Sequence, residues 1–291
     1  MTRWRTRLHH SLGLYLAALS LAASVQAGEI VRETWNSAAL KREAQYTVYL
    51  PDGYKNSTQT YPVVYLLHGA SGDEYSWIRQ GSVTETLDGL IKRGLIRPSV
   101  VVMPTMGKST WWANGAEDAA ETALMDELLP QVEQRLRVGK ERAMRAVGGL
   151  SMGGYGALNL ALSHPGKFCA AAVISPAIYD PLPPEASASR RTPQFVRNGA
   201  FDPETWKSLN YPARLPGYVA ARQTVPMWIV AGDHDYLGIA LMSAQLYWRL
   251  YQTQPRQVEL RIVDGDHEWM VFRDALPEAL QYVDRQCQKS G

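Results

Sequence analysis

No internal repeat, low-complexity tract or glycine-serine linker interrupts these 291 residues. Without such a seam the chain reads as one large domain rather than two joined by a tether. Charge of one sign is missing as well. The formal charge is +2, but residues 1–27 hold Arg3, Arg5 and Arg7 and no acid; beyond them 27 basic side chains face 28 acidic ones, a charge of −1. That balance makes no case for nucleic acid or a membrane surface as partner. The apolar stretch Leu12–Ala23 falls short of the roughly 20 residues a membrane anchor needs. Of the two cysteines, Cys169 and Cys287, neither lies where a lipid would be attached after processing. No metal site or cofactor motif is evident. Asp264, Asp266 and Glu268 alternate as in a calcium loop, but the segment is too short for a full ligand set.

What the amino terminus does have is the pattern of a cleaved export leader. Three arginines precede Leu12–Ala23, and Val25-Gln26-Ala27 offers a small-residue cleavage site before Gly28. The expected mature protein is residues 28–291, periplasmic or secreted. In such an oxidising setting Cys169 and Cys287 either form a disulfide or remain two separate thiols, and their positions decide neither way.

Beyond the leader, strand and helix patterns alternate. Strands are predicted at 44–50, 61–67, 98–103, 143–148, 168–174, 226–231 and 257–263, with helices near 82–93, 117–137, 154–163, 238–253 and 269–287. Alternation of this kind means an α/β fold, a mostly parallel sheet covered by helices on both faces. Residues 176–225 break the rhythm, with prolines at 176, 181, 183, 184, 193, 203, 212 and 216. This segment is expected to be a proline-rich cap over the active-site edge with a short helix near Pro203–Leu209. Its aromatics, Tyr179, Trp206, Tyr211 and Tyr218, suit a small core of its own.

The chemistry centres on Val147-Gly148-Gly149-Leu150-Ser151-Met152-Gly153-Gly154-Tyr155-Gly156. A strand end runs into Gly-x-Ser-x-Gly and then into a helix. Glycine at 149 and 153 leaves room for a sharp turn pressed against neighbouring chain, which exposes the serine hydroxyl at the top of a sheet. A serine nucleophile needs a base, and the base needs an orienting acid; on this turn they follow in the order serine, acid, histidine. Of six histidines, His9 and His10 fall in the leader and His68 precedes the serine, while His164 follows it with no intervening carboxylate. His267, in a loop after the strand Val258–Val263, is the expected base, and His234 falls within the acid's own turn. Asp233 and Asp235 both follow the apolar run Met227–Ala231, and position alone leaves the acid open between them. For the oxyanion, backbone N–H groups are expected from Met152 and from Ala70, in the small loop His68–Gly72 after the strand Tyr61–Leu67.

These motifs, with Trp77, Val101–Pro104, Leu128-Leu129-Pro130 before Arg137, Pro165–Phe168, Gly232–Leu237 and Gly265–Trp269, run in order over about residues 44–285. In that combination the chain resembles the esterase D branch of the α/β-hydrolases, which includes S-formylglutathione hydrolases, feruloyl and acetylxylan esterases, enterochelin-type esterases and mycolyltransferases. The resemblance implies the α/β-hydrolase fold with Ser151 as nucleophile, Asp235 as acid and His267 as base, and Ala70 and Met152 as oxyanion donors. His68 stands where mycolyltransferases carry an aspartate, and the leader conflicts with the cytosolic S-formylglutathione hydrolases.

The expected function is hydrolysis of a carboxylic ester, of a sugar or aryl alcohol rather than a long-chain lipid, through an acyl-enzyme. The alternative is an acyltransferase passing the same acyl group to a carbohydrate. A non-catalytic binding module is disfavoured by the complete set of catalytic residue types. Aromatic side chains from catalytic-edge loops suit sugar rings and aryl acyl groups. His68, Trp77, Trp112, Tyr155 and Trp269 are the expected substrate contacts, alongside Trp111 and Tyr236 on the same loops, with loop packing the other role open to them.

Overall fold

The computed structural model describes residues 27–115 and 118–291, so the expected leader lies outside the described residues except for Ala27. The chain opens with an antiparallel pair, β1 (Glu29–Ser37) and β2 (Arg42–Leu50). It continues through β3 (Val63–Leu67), α1 (Ser76–Arg79), α2 (Val83–Lys92) and β4 (Val100–Thr105). A composite helix follows: α3 (Ala120–Thr122), a π turn (Ala123–Leu128) and α4 (Leu129–Arg135). Then come β5 (Arg145–Leu150), α5 (Met152–Ser163) and β6 (Ala171–Ile174). The cap supplies a two-residue hairpin, β7 (Val196–Arg197) and β8 (Ala200–Phe201), with α6 (Pro203–Leu209) and α7 (Tyr211–Ala221). β9 (Met227–Gly232), α8 (Ile239–Tyr251), β10 (Val258–Val263) and α9 (Trp269–Lys289) complete the fold.

The eight-stranded sheet has the order β1-β2-β4-β3-β5-β6-β9-β10, antiparallel at its first two junctions and parallel from β4 to β10. The central strands read as unbroken apolar runs because helices cover both faces. β3 (VVYLL) and β9 (MWIVAG) are buried at every residue. One face packs against α5 and α8, the other against α2 and α9. α5 is buried almost all round, so it carries apolar or small residues on every side instead of one stripe. Cys169, just before β6, is bonded to Cys287 in α9 with their Cα atoms 4.9 Å apart, which ties the last helix to the middle of the sheet.

Two expectations are corrected. β1 escaped the strand prediction. The cap is also more helical than its prolines imply, since α7 runs eleven residues with Pro216 inside it. Pro212 occupies the first turn, where no N–H bond is lost, and Asn210 caps the helix through its side chain. Trp206, Tyr179, Tyr211 and Tyr218 are buried and form the cap's own core, with Trp206 Nε1 donating to Tyr179 O at 3.0 Å.

Candidate active site

Ser151 sits between β5 and α5 at φ 53°, ψ −114°, a strained backbone for a residue with a Cβ. The two flanking glycines are required by close approach. A Cβ on Gly149 would meet the backbone of Gly153, and one on Gly153 would lie 2.7 Å from His68 O and closer still to Leu67 O. Ser151 N–H donates to Ile174 O at 2.9 Å and its carbonyl accepts from Ala177 N–H at 3.1 Å, so the turn is fastened to the end of β6 and to the chain just beyond it.

Two loops at the carboxyl ends of β9 and β10 bring the other groups. They are zipped together by Asp233 N–H to Val263 O (2.8 Å) and His234 N–H to Gly265 O (3.0 Å), an approach so close that a Cβ on Gly232 would strike Gly265. Asp266 ties them again, accepting from His267 N–H at 2.7 Å and Tyr236 N–H at 3.3 Å. His267 Nε2 lies 2.9 Å from Ser151 Oγ, and its Nδ1 lies 2.7 Å from Asp235 Oδ2. The Asp235 carboxylate is fully buried, and its other oxygen accepts from Leu237 N–H at 3.0 Å. Asp233 takes a different part: it is exposed, accepts from Gly265 N–H at 3.1 Å and lies 3.0 Å from His234 Nδ1. Asp233, His234 and Asp264 are the one acid and imidazole group close enough to share an ion among the described residues, and all three are exposed.

The loop after β3 passes against the serine turn, since a Cβ on Gly69 would lie 3.5 Å from Ser151 Cβ. Ser71 N–H donates to Lys108 O and Gly72 N–H to Gly69 O. Among the described residues the N–H groups of Ala70 and Met152 have no protein acceptor. They remain available to an oxyanion beside Ser151. A cleft of about 470 Å³ opens above, lined by Ser151, His267 and Ala70 and walled by Trp111, Tyr179, Tyr236 and Trp269.

The expected substrate contacts need correction. Trp269 lines the cleft, but His68, Trp77, Trp112 and Tyr155 are buried beneath it. Each has its polar atoms turned to the protein. Trp77 Nε1 donates to Leu67 O (3.1 Å), Trp112 Nε1 to His68 O (3.2 Å) and Tyr155 Oη to Leu209 O (2.6 Å). His68 Nδ1 lies 2.7 Å from Gly69 O and Nε2 lies 3.2 Å from Thr105 Oγ1. Burial of the ring lowers the His68 pKa to about 4, so the imidazole stays neutral. Tyr179, part of the cap core, also reaches the cleft wall.

Residues 37–283 match the protein family described as "Putative esterase", and the chain belongs to that family. It is 32% identical over 197 residues to an endo-1,4-beta-xylanase/feruloyl esterase of Xylanibacter ruminicola, covering 63% of this chain and 26% of that protein. It is 38% identical over 131 residues to an esterase of Mycobacterium tuberculosis, covering 43% of this chain and 27% of the other. The chain thus matches about a quarter of the length of these curated relatives. Among solved structures, a ferulic acid esterase superposes with a TM-score of 0.78 at 25% identity, over 89% of this chain and 99% of the other. An S-formylglutathione hydrolase from Staphylococcus aureus gives 0.69 at 21% identity with the same coverage, which speaks for a shared α/β-hydrolase fold. Among the described residues no helix is long and apolar enough to cross a membrane.

Proposed function

We propose that the protein is an exported serine esterase that cleaves a carboxylic ester by way of an acyl-enzyme on Ser151. The observation that carries this reading is the hydrogen-bonded series Ser151 Oγ, His267 Nε2, His267 Nδ1, Asp235 Oδ2, opening on a cleft beside two unengaged N–H groups. In the proposed cycle His267 Nε2 takes the Ser151 proton as Oγ adds to the ester carbonyl. The N–H groups of Ala70 and Met152 hold the resulting oxyanion. Collapse expels the alcohol, which takes its proton from His267, and a water activated by the same imidazole then releases the acid. Buried Asp235 keeps Nδ1 protonated and stabilises the imidazolium.

Export is supported by the leader pattern and by the Cys169–Cys287 bridge, which suits an oxidising compartment. A small-molecule or polysaccharide ester with a short or aryl acyl group is supported by aromatic cleft walls and by Ser71, Asp73, Ser76, Arg79 and Gln80 on the lining. The names of the feruloyl and ferulic acid esterase relatives point the same way. The test is an ester panel on residues 28–291 and on Ser151→Ala. Wild-type kcat/KM should peak at acetyl-to-butyryl or cinnamoyl-type esters, and the variant should lose about three or more orders of magnitude. A rate rising steadily toward palmitoyl esters would overturn the substrate class. An active Ser151→Ala would overturn the assignment of Ser151 as nucleophile.

A further inference from the structure

The turn Thr110–Ala113 lies between the cap and the loop that carries Ala70. Ala113 N–H donates to Thr110 O at 3.3 Å, and the two central residues, Trp111 and Trp112, both have φ 53°. Positive φ at both central positions of a turn is ordinarily the province of glycine, asparagine and aspartate. A bulky side chain is held there only where the surroundings over-determine it.

The cap supplies one set of constraints. Gln194 Nε2 donates to both Thr110 O (2.9 Å) and Ala113 O (3.3 Å), clasping the turn at its two ends. Trp111 Nε1 donates to Thr192 Oγ1 at 3.1 Å, and its ring meets Phe195 edge-on with centroids 5.4 Å apart. The next residue faces the other way. Trp112 Nε1 donates to His68 O at 3.2 Å and its ring meets the His68 imidazole edge-on at 5.0 Å. Trp112 also fits against Gly156, where a Cβ would lie 2.6 Å from its Cγ. His68 O belongs to the peptide just before the one bearing Ala70 N–H. One strained dipeptide therefore holds the cap by its first indole and the oxyanion loop by its second.

We propose that the Trp111–Trp112 turn couples docking of cap segment Thr192–Phe195 to the aim of Ala70 N–H, with Trp112 as the positioning residue. The inference rests on the serine-esterase reading of the site. It implies that cap residues without access to the reacting atoms set the rate through the oxyanion loop.

Three variants isolate the connection. Trp112→Phe keeps a ring against His68 and Gly156 and deletes one N–H; Thr192→Val keeps the volume and deletes the acceptor of Trp111 together with the hydroxyl's bond to Ala188 O within the cap. Gln194→Leu removes the clasp and serves as a second cap-side variant should Thr192→Val fold poorly. Two rates are read: kcat and KM for an aryl acetate, and the second-order rate of fluorophosphonate addition. In that addition Ser151 Oγ displaces fluoride from phosphorus while the phosphoryl oxygen occupies the same hole. Each variant should lower kcat and the phosphonylation rate by about 10-fold with KM within about two-fold, as a misaimed donor does. Thr192→Val combined with Trp112→Phe should be barely slower than the slower single variant, because both break one connection. Falls that multiply, or an effect confined to KM, would overturn the coupling while leaving the esterase intact. Wild-type protein that is not phosphonylated at Ser151 would overturn both.

Discussion

Replacing Gly153 by alanine tests whether close packing of the serine turn sets both stability and rate. The added Cβ would sit 2.7 Å from His68 O and closer still to Leu67 O, against the 3.4 Å at which ordinary contact begins, so helix α5 and the end of β3 must part by more than about 0.7 Å. Neither neighbour yields easily. Leu67 and His68 carbonyls are pinned by the Trp77 and Trp112 indoles, and α5 is buried along nearly its whole length. Overpacking of this sort costs about 1–3 kcal/mol. In a domain of this size each kcal/mol lowers Tm by about 2–4 °C. The same displacement separates Ala70 from Met152, and misplacement approaching 1 Å costs up to about 100-fold in rate. Thermal unfolding and ester hydrolysis should therefore both fall, with kcat reduced about 10- to 100-fold. Gly89→Ala in α2 is the control: nothing lies within 4 Å of its Cβ. There the helix should gain about 0.5–1 kcal/mol with activity unchanged. A Gly153→Ala protein with wild-type Tm and kcat would refute the claim that contact, and not merely turn preference, demands glycine.

Asp235→Asn should lower kcat by about 10³–10⁴ because the amide favours the wrong His267 tautomer. Asp233→Asn, which touches only Gly265 N–H and His234, should stay within a few-fold, and the reverse ranking would reassign the acid. Cys287→Ser opens a bridge spanning 118 residues, worth about 4–5 kcal/mol on the chain-entropy account; an unchanged urea midpoint relative to the wild type would refute that stabilisation. For His68, burial holds the folded pKa near 4 against 6.5, so the unfolded chain takes up the proton first and stability, complete above pH 6.5, is lost as pH falls toward 4. About 2 kcal/mol should be gone by pH 5, and His68→Asn should flatten that slope in denaturant titrations at pH 5 and 7; an equally steep slope in the variant would place the acid sensitivity elsewhere.

The parts of the site that were legible are those in which residue type and geometric need coincide. Gly149 and Gly153 are required by contacts within a few residues and with the adjacent strand, so Gly-x-Ser-x-Gly carries its geometry in its spacing. Chain order eliminated His68 and His164 as bases, and the structure finds the first bonded to its own loop and the second to Glu121. The choice between Asp233 and Asp235 was not legible from position, because both leave β9 within one turn. What separates them is burial: one carboxylate is sealed under the loops and the other stands in solvent. Proline in the cap does not exclude a helix, because Pro212 occupies the first turn, whose N–H groups have no intrahelical acceptor, and the rest of α7 tolerates Pro216.

The aromatic loops show why substrate contacts are harder to read than catalytic groups. Sequence places Trp77, Trp111 and Trp112 at the catalytic edge, but a loop has two sides and composition does not distinguish them. The decision is made by main-chain carbonyls at the end of β3. Leu67, the last residue of β3, and His68, just past it, present carbonyls at the end of the ladder, and a buried indole donates to each while filling space. Trp77 and Trp112 are drawn downward by that demand, and Trp111, its N–H taken by Thr192 and its ring buried against Tyr155, Phe195 and Trp206, borders the cleft only at its edge. Adjacent identical residues thus acquire different surroundings because their donors answer acceptors in two different parts of the chain, Thr192 in the cap and His68 in the loop.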